Sequence, residues 1–374
     1  MKNIITLLGF IASILSHNAC SFEKTDIYLV IGSYSSPTEK GIHVFSFNEE
    51  NGENALVSET EGITNPSYLV QNSDGKRIYC VSETEDETSS LYAYAFNHTN
   101  GTIKFINSKP THGTAPCHVW VAPSDELAIT ANYNGGSISI FPITNSGSLQ
   151  DANVEKYEGG TPNSKRQSCP HLHCIYSSPD GKYVYANDLG TDRIYKYRMT
   201  MLDSTTYIEK SIPSYFQLPA GEGPRHAEFH PNGKYAYIIG ELSGNITVMA
   251  LKEEGNLAPI QTISADSLHA AGSADIHISP NGKYLYASNR LQGDGIAVFS
   301  IDKENGHLKK VGYQTTGTHP RNFAITPNGK FLLCACRDDN KIQIFHINPN
   351  NGMLHATGKE IHLSQPVCLK FIKK

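Results

Sequence analysis

GEGPRHAEFHPNGKYAYIIGELSG, residues 221–244, reads as two short strands joined by a tight turn. Phe229 and the alternating Tyr235 and Tyr237 are strand-forming residues, and Pro231-Asn232-Gly233 supplies the reversal. The Asn-Gly pair predicts the positive φ angles of a type I′ turn. Arg225 lies eight residues before Gly233, and Glu241 lies eight residues after it. In an antiparallel hairpin such positions return to the same edge on neighbouring strands. A cation and a carboxylate are therefore expected to share one rim.

The hairpin is not unique. NSDGKRIY, SSPDGKYVY, SPNGKYLY and TPNGKFLL repeat it around Gly75, Gly181, Gly282 and Gly329, and a degenerate copy, APSDELAI, puts Asp125 in the glycine position. The intervals between successive turns are 50, 56, 52, 49 and 47 residues, too regular for chance. A third alternating strand follows each turn, as in LYAYAF, SISIF, DRIYKY, NITVM and GIAVF, and a fourth strand is expected after it. About fifty residues with four short strands is the size of one β-propeller blade. Six turns predict six blades, and the chain ends supply another. Residues 26–47 resemble the second and third strands of a unit, and PVCLKFI, residues 366–372, resembles a first strand. Joining them predicts an all-β, seven-bladed propeller with one blade split between the termini, which leaves no open ring edge. No linker or composition shift divides the chain, so residues 26–374 are expected to form one domain.

Residues 1–20, MKNIITLLGFIASILSHNAC, differ in kind: Lys2, an apolar stretch over 4–15, then small and polar residues before Cys20. That pattern resembles a secretory signal peptide and is short for a membrane span. Ala19-Cys20 resembles the end of a bacterial lipoprotein signal, so export is expected, with membrane attachment only through a lipidated Cys20. The net charge of −5 and the lack of basic runs argue against nucleic acid as a partner. Seven further cysteines lie mostly in strand patterns without CxxC pairing, which argues against a zinc site or a complete disulfide framework.

Taking each turn as origin collects the side chains that meet on the shared rim. Eight residues before it stand Ser67, Cys117, His173, Arg225, Ala274 and Arg321, with His118 and Asp275 one step on. Eight residues after it stand Glu83, Tyr133, Leu189, Glu241, Arg290 and Arg337. If the first strand of each unit lines the channel, these residues crowd one mouth. Arginine offers a planar fork of donors to a carboxylate or phosphate. Glu241 or His173 can take a proton from water, and an arginine can stabilise the oxyanion formed when water attacks an ester carbonyl. Singly, each has a plain structural use: Arg225 and Glu241 as a cross-strand ion pair, Arg290 as a cap on backbone carbonyls, His173, His226, His230 and His277 as packing residues. No GxSxG elbow and no metal constellation is present in the sequence.

With those residues in place, the chain resembles the seven-bladed propeller lactonases, the group containing bacterial propeller-type 6-phosphogluconolactonase and the fungal carboxy-muconate lactonising enzyme. GSYSSPTEKGIHVFSF, HLHCIYSSPDGKYVYANDLGTDRIYKY, GPRHAEFHPNGKYAYIIGEL, ADIHISPNGKYLYASNR and HPRNFAITPNGKFLLCA carry the resemblance, which spans nearly everything after residue 20. It implies that His173, Arg225, Glu241 and Arg290 occupy the family's catalytic positions, without metal or other cofactor. His118, Tyr133, Asp275, Arg321 and Arg337 are then expected to bind a small anionic sugar lactone, and Glu241 or His173 to act as base. Arg337 stands where relatives often carry glutamine, and Glu83 where some carry arginine. Two other functions remain compatible with the same mouth: a non-catalytic propeller binding carbohydrate or protein, and a cycloisomerase acting on a muconate-type acid.

Overall fold

The computed structural model of the protein describes residues 26–161, 164–202 and 205–374; the leader and Cys20 lie outside the described residues. Their strands form seven four-stranded antiparallel sheets, and the first strands of the sheets contact one another in sequence around a closed ring. We number the sheets as blades: 26–60 with 366–372 (blade 1), 69–110 (2), 116–156 (3), 172–217 (4), 224–264 (5), 273–315 (6) and 320–362 (7). The split blade is as the sequence predicts. Pro366–Ile372 is its innermost strand and pairs antiparallel with Asp26–Ser33, from Tyr28↔Ile372 to Ser33↔Pro366.

The abundance of tyrosine has a specific cause. Tyr79, Tyr185, Tyr237 and Tyr286 occupy equivalent positions in second strands, and each is buried between two blades. Their hydroxyls donate to the carbonyls of Gly147, Gly255, Gly306 and Gly352, in the outer turn of the following blade, at 3.1, 2.7, 2.9 and 2.9 Å. A tyrosine combines a large apolar body with a polar tip that must find a partner when buried. One residue type thus supplies both the apolar filling and the polar lock between blades.

The turns differ from expectation in type. Gly233 N–H donates to His230 O at 2.8 Å, and Gly233 has φ +72°, whereas Asn232 is not in the positive-φ region. Pro231 at the second position fixes a negative φ, so the turn is type I with glycine closing it, not type I′. Asp125 takes the same left-handed conformation at φ +61°. Its carboxylate offsets that strain by accepting hydrogen bonds from Asn72 Nδ2 and from Ser73 N and Oγ, at 2.8, 2.9 and 2.6 Å.

At the other end of the hairpins the ladders are bulged. In blade 5 the pairing steps from Pro224↔Gly240 to Ala227↔Ile238, so Arg225 and His226 together face one residue of the partner strand. Similar irregularities fall at Cys117, His173, Ala274-Asp275 and Arg321. A bulge re-aims side chains that strict alternation would send to opposite faces. Arg225 is therefore not the ladder partner of Glu241, as simple counting suggests; Glu241 lies past its strand and donates its N–H to Gly223 O at 2.8 Å. The bulge brings the two side chains together.

Candidate active site at the channel mouth

Glu241 is the centre of the mouth. Its Oε2 accepts from Arg225 Nε at 2.9 Å and lies 3.3 Å from Arg290 Nη2, and its Oε1 accepts from Arg166 Nη2 at 2.5 Å. His173 Nε2 stands 3.9 Å from Oε2. Burial alone would disfavour the carboxylate, but Arg290, Arg225 and Arg166 overcome it and hold the Glu241 pKa at about 2. The four residues named as catalytic from the sequence thus lie together around one carboxylate.

Arg225 is among the most deeply buried side chains of the molecule at 1% exposure, and its Nη1 also donates to Ala274 O at 2.5 Å. Arg290 donates from Nε to Gly272 O at 2.8 Å and from Nη1 to His319 Nε2 at 3.3 Å. Burial lowers the Arg290 pKa, to about 9, which still leaves it charged at neutral pH beside Glu241. The carbonyl-capping use of Arg290 and its place against Glu241 are therefore both realised.

The binding residues named from the sequence divide into two groups. Tyr133 stacks on His171 at 4.4 Å, meets His173 edge-on at 5.5 Å, and accepts from Arg166 at 3.4 Å. Arg321 lies 3.7 Å from Glu83 and sits over the Tyr34 ring. Arg337 stands at the rim, donating to Asp338 Oδ1 at 2.6 Å, with its Nη2 3.2 Å from His319 Nδ1. His118 and Asp275 are not at this level. His118 follows the bulged Cys117 and packs on Tyr68 at 4.1 Å, and Asp275, inside the bulge of its own strand, bonds to His226 at 2.6 Å.

Arg166, Tyr34 and His319 are absent from the sequence-derived set. Tyr34 follows its strand as Glu83, Tyr133 and Glu241 follow theirs, and its hydroxyl donates to Glu83 Oε2 at 3.2 Å. The split blade lacks a turn from which to count, which hid this seventh member. His319 precedes Arg321 by two residues and stands between Arg290 and Arg337, its Nε2 accepting from Arg290. Arg166 comes from the connection between blades 3 and 4, where no repeat register reaches; the neighbouring Gln167 anchors that connection through Leu189 O and Asp192 Oδ1, both at 2.8 Å. Among the described residues, no three His, Cys, Asp or Glu side chains are placed to hold a metal ion.

The seven-bladed ring has close counterparts among known proteins. The family model described as "Lactonase, 7-bladed beta-propeller" matches residues 28–371. The chain belongs to that family. It is 37% identical over 340 residues to a 6-phosphogluconolactonase of Formosa agariphila, covering 89% of this chain and 96% of that one. A Bacteroides fragilis structure provisionally assigned as a 6-phosphogluconolactonase is 45% identical with TM-score 0.91, covering 94% of this chain and 99% of that one. The periplasmic gluconolactonase of Pseudomonas aeruginosa is 28% identical with TM-score 0.88, covering 93% and 99%.

Proposed function

We propose that the protein is a hydrolase of sugar lactones, of the 6-phosphogluconolactonase type, acting in carbohydrate metabolism. The observation that carries this reading is a buried carboxylate held between Arg225, Arg290 and Arg166 at the mouth of the channel. With Arg321 and Arg337 beside them, five guanidiniums face two glutamates and Asp338, so the mouth favours an anionic substrate. Glu241 aligns the buried arginines. The half-exposed Arg166 and the more accessible faces of Arg321 and Arg337 are the groups placed to meet the substrate's anionic part and the oxygen that gains charge when water adds to the lactone carbonyl. The Ser67 hydroxyl, in the same ring of positions, is buried without a hydrogen-bond partner among the described residues and suits a sugar hydroxyl. Export of the chain, with Cys20 as a lipid anchor, rests on the leader sequence, and the likeness to a periplasmic relative supports it. An exported enzyme would meet unphosphorylated lactones.

Opening of glucono-δ-lactone and its 6-phospho derivative, with spontaneous opening subtracted and EDTA present, tests the proposal. Hydrolysis that Glu241→Gln abolishes and EDTA spares is the expected result. No rate above background on either lactone, with folded protein, would favour a binding propeller instead.

A further inference from the structure

Lactone opening by water needs a group that takes a proton, and the two sequence candidates are poorly placed to do so. Both carboxylate oxygens of Glu241 already face guanidiniums. The His173 ring nitrogen with a side-chain hydrogen bond is Nδ1, 3.8 Å from Cys117 Sγ, whose S–H can donate to its lone pair; Nε2, 3.9 Å from Glu241 Oε2, then carries the hydrogen. The lone pair of His173 is thus turned away from Glu241 and toward the thiol.

His226 differs on each count. It is 6% exposed and follows Arg225 in the same bulge, where the two face one residue of the partner strand. Its ring lies 5.3 Å from the His173 ring and 5.6 Å from the His118 ring. Nδ1 is 2.6 Å from Asp275 Oδ1. Asp275 also accepts from Asn322 Nδ2 at 2.5 Å and Phe323 N at 3.2 Å, and His277 Nε2 stands at 3.1 Å. A carboxylate so surrounded by donors is an anion, and it fixes the hydrogen of His226 on Nδ1. The lone pair is then on Nε2, which is buried and has no hydrogen-bond partner among the described residues. Behind Asp275, His277 Nδ1 bonds to Glu228 Oε2 at 2.7 Å, so the supporting carboxylate is itself held in place.

We propose that His226, oriented by Asp275, is the base of the lactone-opening reaction, an assignment that rests on the lactonase reading. The water oxygen bonds to the lactone carbonyl carbon as one of its O–H bonds breaks, and that proton passes to His226 Nε2. The carbonyl π pair moves to the oxygen, which the arginines stabilise. When C=O re-forms, the ring C–O bond breaks, its electron pair goes to the ring oxygen, and His226 returns the proton there. The product hydroxy acid then loses its carboxyl proton to solvent. Burial and Arg225 hold the His226 pKa down, to about 3, so the imidazole is neutral at working pH, while Asp275 acts against that shift as the proton arrives. His226 is a catalytic residue in this scheme, and Asp275, His277 and Glu228 are positioning residues.

His226→Asn separates this role from packing, because the amide can still donate to Asp275 while Nε2 is lost. With both gluconolactones as probes, kcat is expected to fall about 10²- to 10⁴-fold, the range of general-base catalysis, with KM changed by less than about threefold. His226→Gly should regain activity with added imidazole, and Asp275→Asn should lower kcat without that rescue. If His226→Asn proves unfolded by circular dichroism, His226→Gln replaces it with the same expectation. Folded His226 variants with kcat within about threefold of wild type, or loss without imidazole rescue, would overturn the assignment alone. An inactive wild-type chain would overturn the lactonase reading, and the assignment with it.

Discussion

The two ends of each inner hairpin contrast. At the turn end the repeats spell nearly the same residues, PNGK or PDGK, because a backbone reversal with one left-handed residue admits few solutions. At the mouth end the equivalent positions hold serine, cysteine, histidine, arginine and alanine, although the bulge recurs in several blades. Geometry repeats at one end; side-chain chemistry varies at the other. Sameness marks what every blade needs, and difference marks what only the site needs.

Substitutions at the two ends should therefore fail in different ways. The largest effect is expected at the mouth. Glu241→Gln should lower kcat/KM by about 10²- to 10³-fold, since the arginine array loses the charge that aligns it. Arg225→Ala should lose at least as much activity and, by leaving Glu241 short of a buried partner, destabilise the fold by about 3 kcal/mol or more, seen in urea unfolding. Arg166→Ala, at the half-exposed edge, should raise KM about tenfold, the worth of one charge-assisted hydrogen bond, with unfolding unchanged. At the turn end the pattern should invert. Gly282→Ala puts a Cβ 2.9 Å from His230 Nε2 at φ +71°. It should cost about 2 kcal/mol of stability while leaving kcat at 25 °C intact. Gly233→Ala meets only ordinary contacts at 3.6 Å and should cost less.

The smallest expected effect is that of pH on rate. Glu241, with its pKa lowered to about 2, stays ionised, and the lowered pKa values of His173 and His226 keep both neutral. Background-corrected kcat/KM should vary less than about twofold between roughly pH 5.5 and 8. Stability should respond outside that window. Glu241's lowered pKa contributes stability present above its unfolded value and lost as pH falls toward 2. Burial disfavours the His277 cation, but Asp275 and Glu228 raise its pKa to about 10; that contribution is full below about 6.5 and is lost as pH rises through 10. His277→Gln should flatten the alkaline limb.

Much of this was legible in the sequence, for reasons that particular residues show. The spacing of the glycine turns fixes the blades, and counting from Gly233 pairs Arg225 with Glu241. Counting failed where the chain leaves the repeat. Arg166 lies in a connection, Tyr34 lies in the blade without a turn, and the bulge that aims Arg225 and His226 the same way carries no composition signal. His226 read as packing because its value lies in one lone pair, and Asp275 on the first strand of the next blade decides where that lone pair points.

The split blade has a consequence for the order of events in the protein's life. Pro366–Ile372 lies against the first strands of blades 7 and 2, and Leu369 N–H donates to Asn322 Oδ1 at 2.7 Å. Asn322 in turn holds Asp275. The clasp that shuts the ring is thus synthesised after every strand it closes upon, and it is two hydrogen bonds from the carboxylate that orients His226. A nascent chain in which residues 366–372 are not yet made has an open ring and an unsupported Asn322, so closure of the circle and completion of the proposed catalytic apparatus coincide.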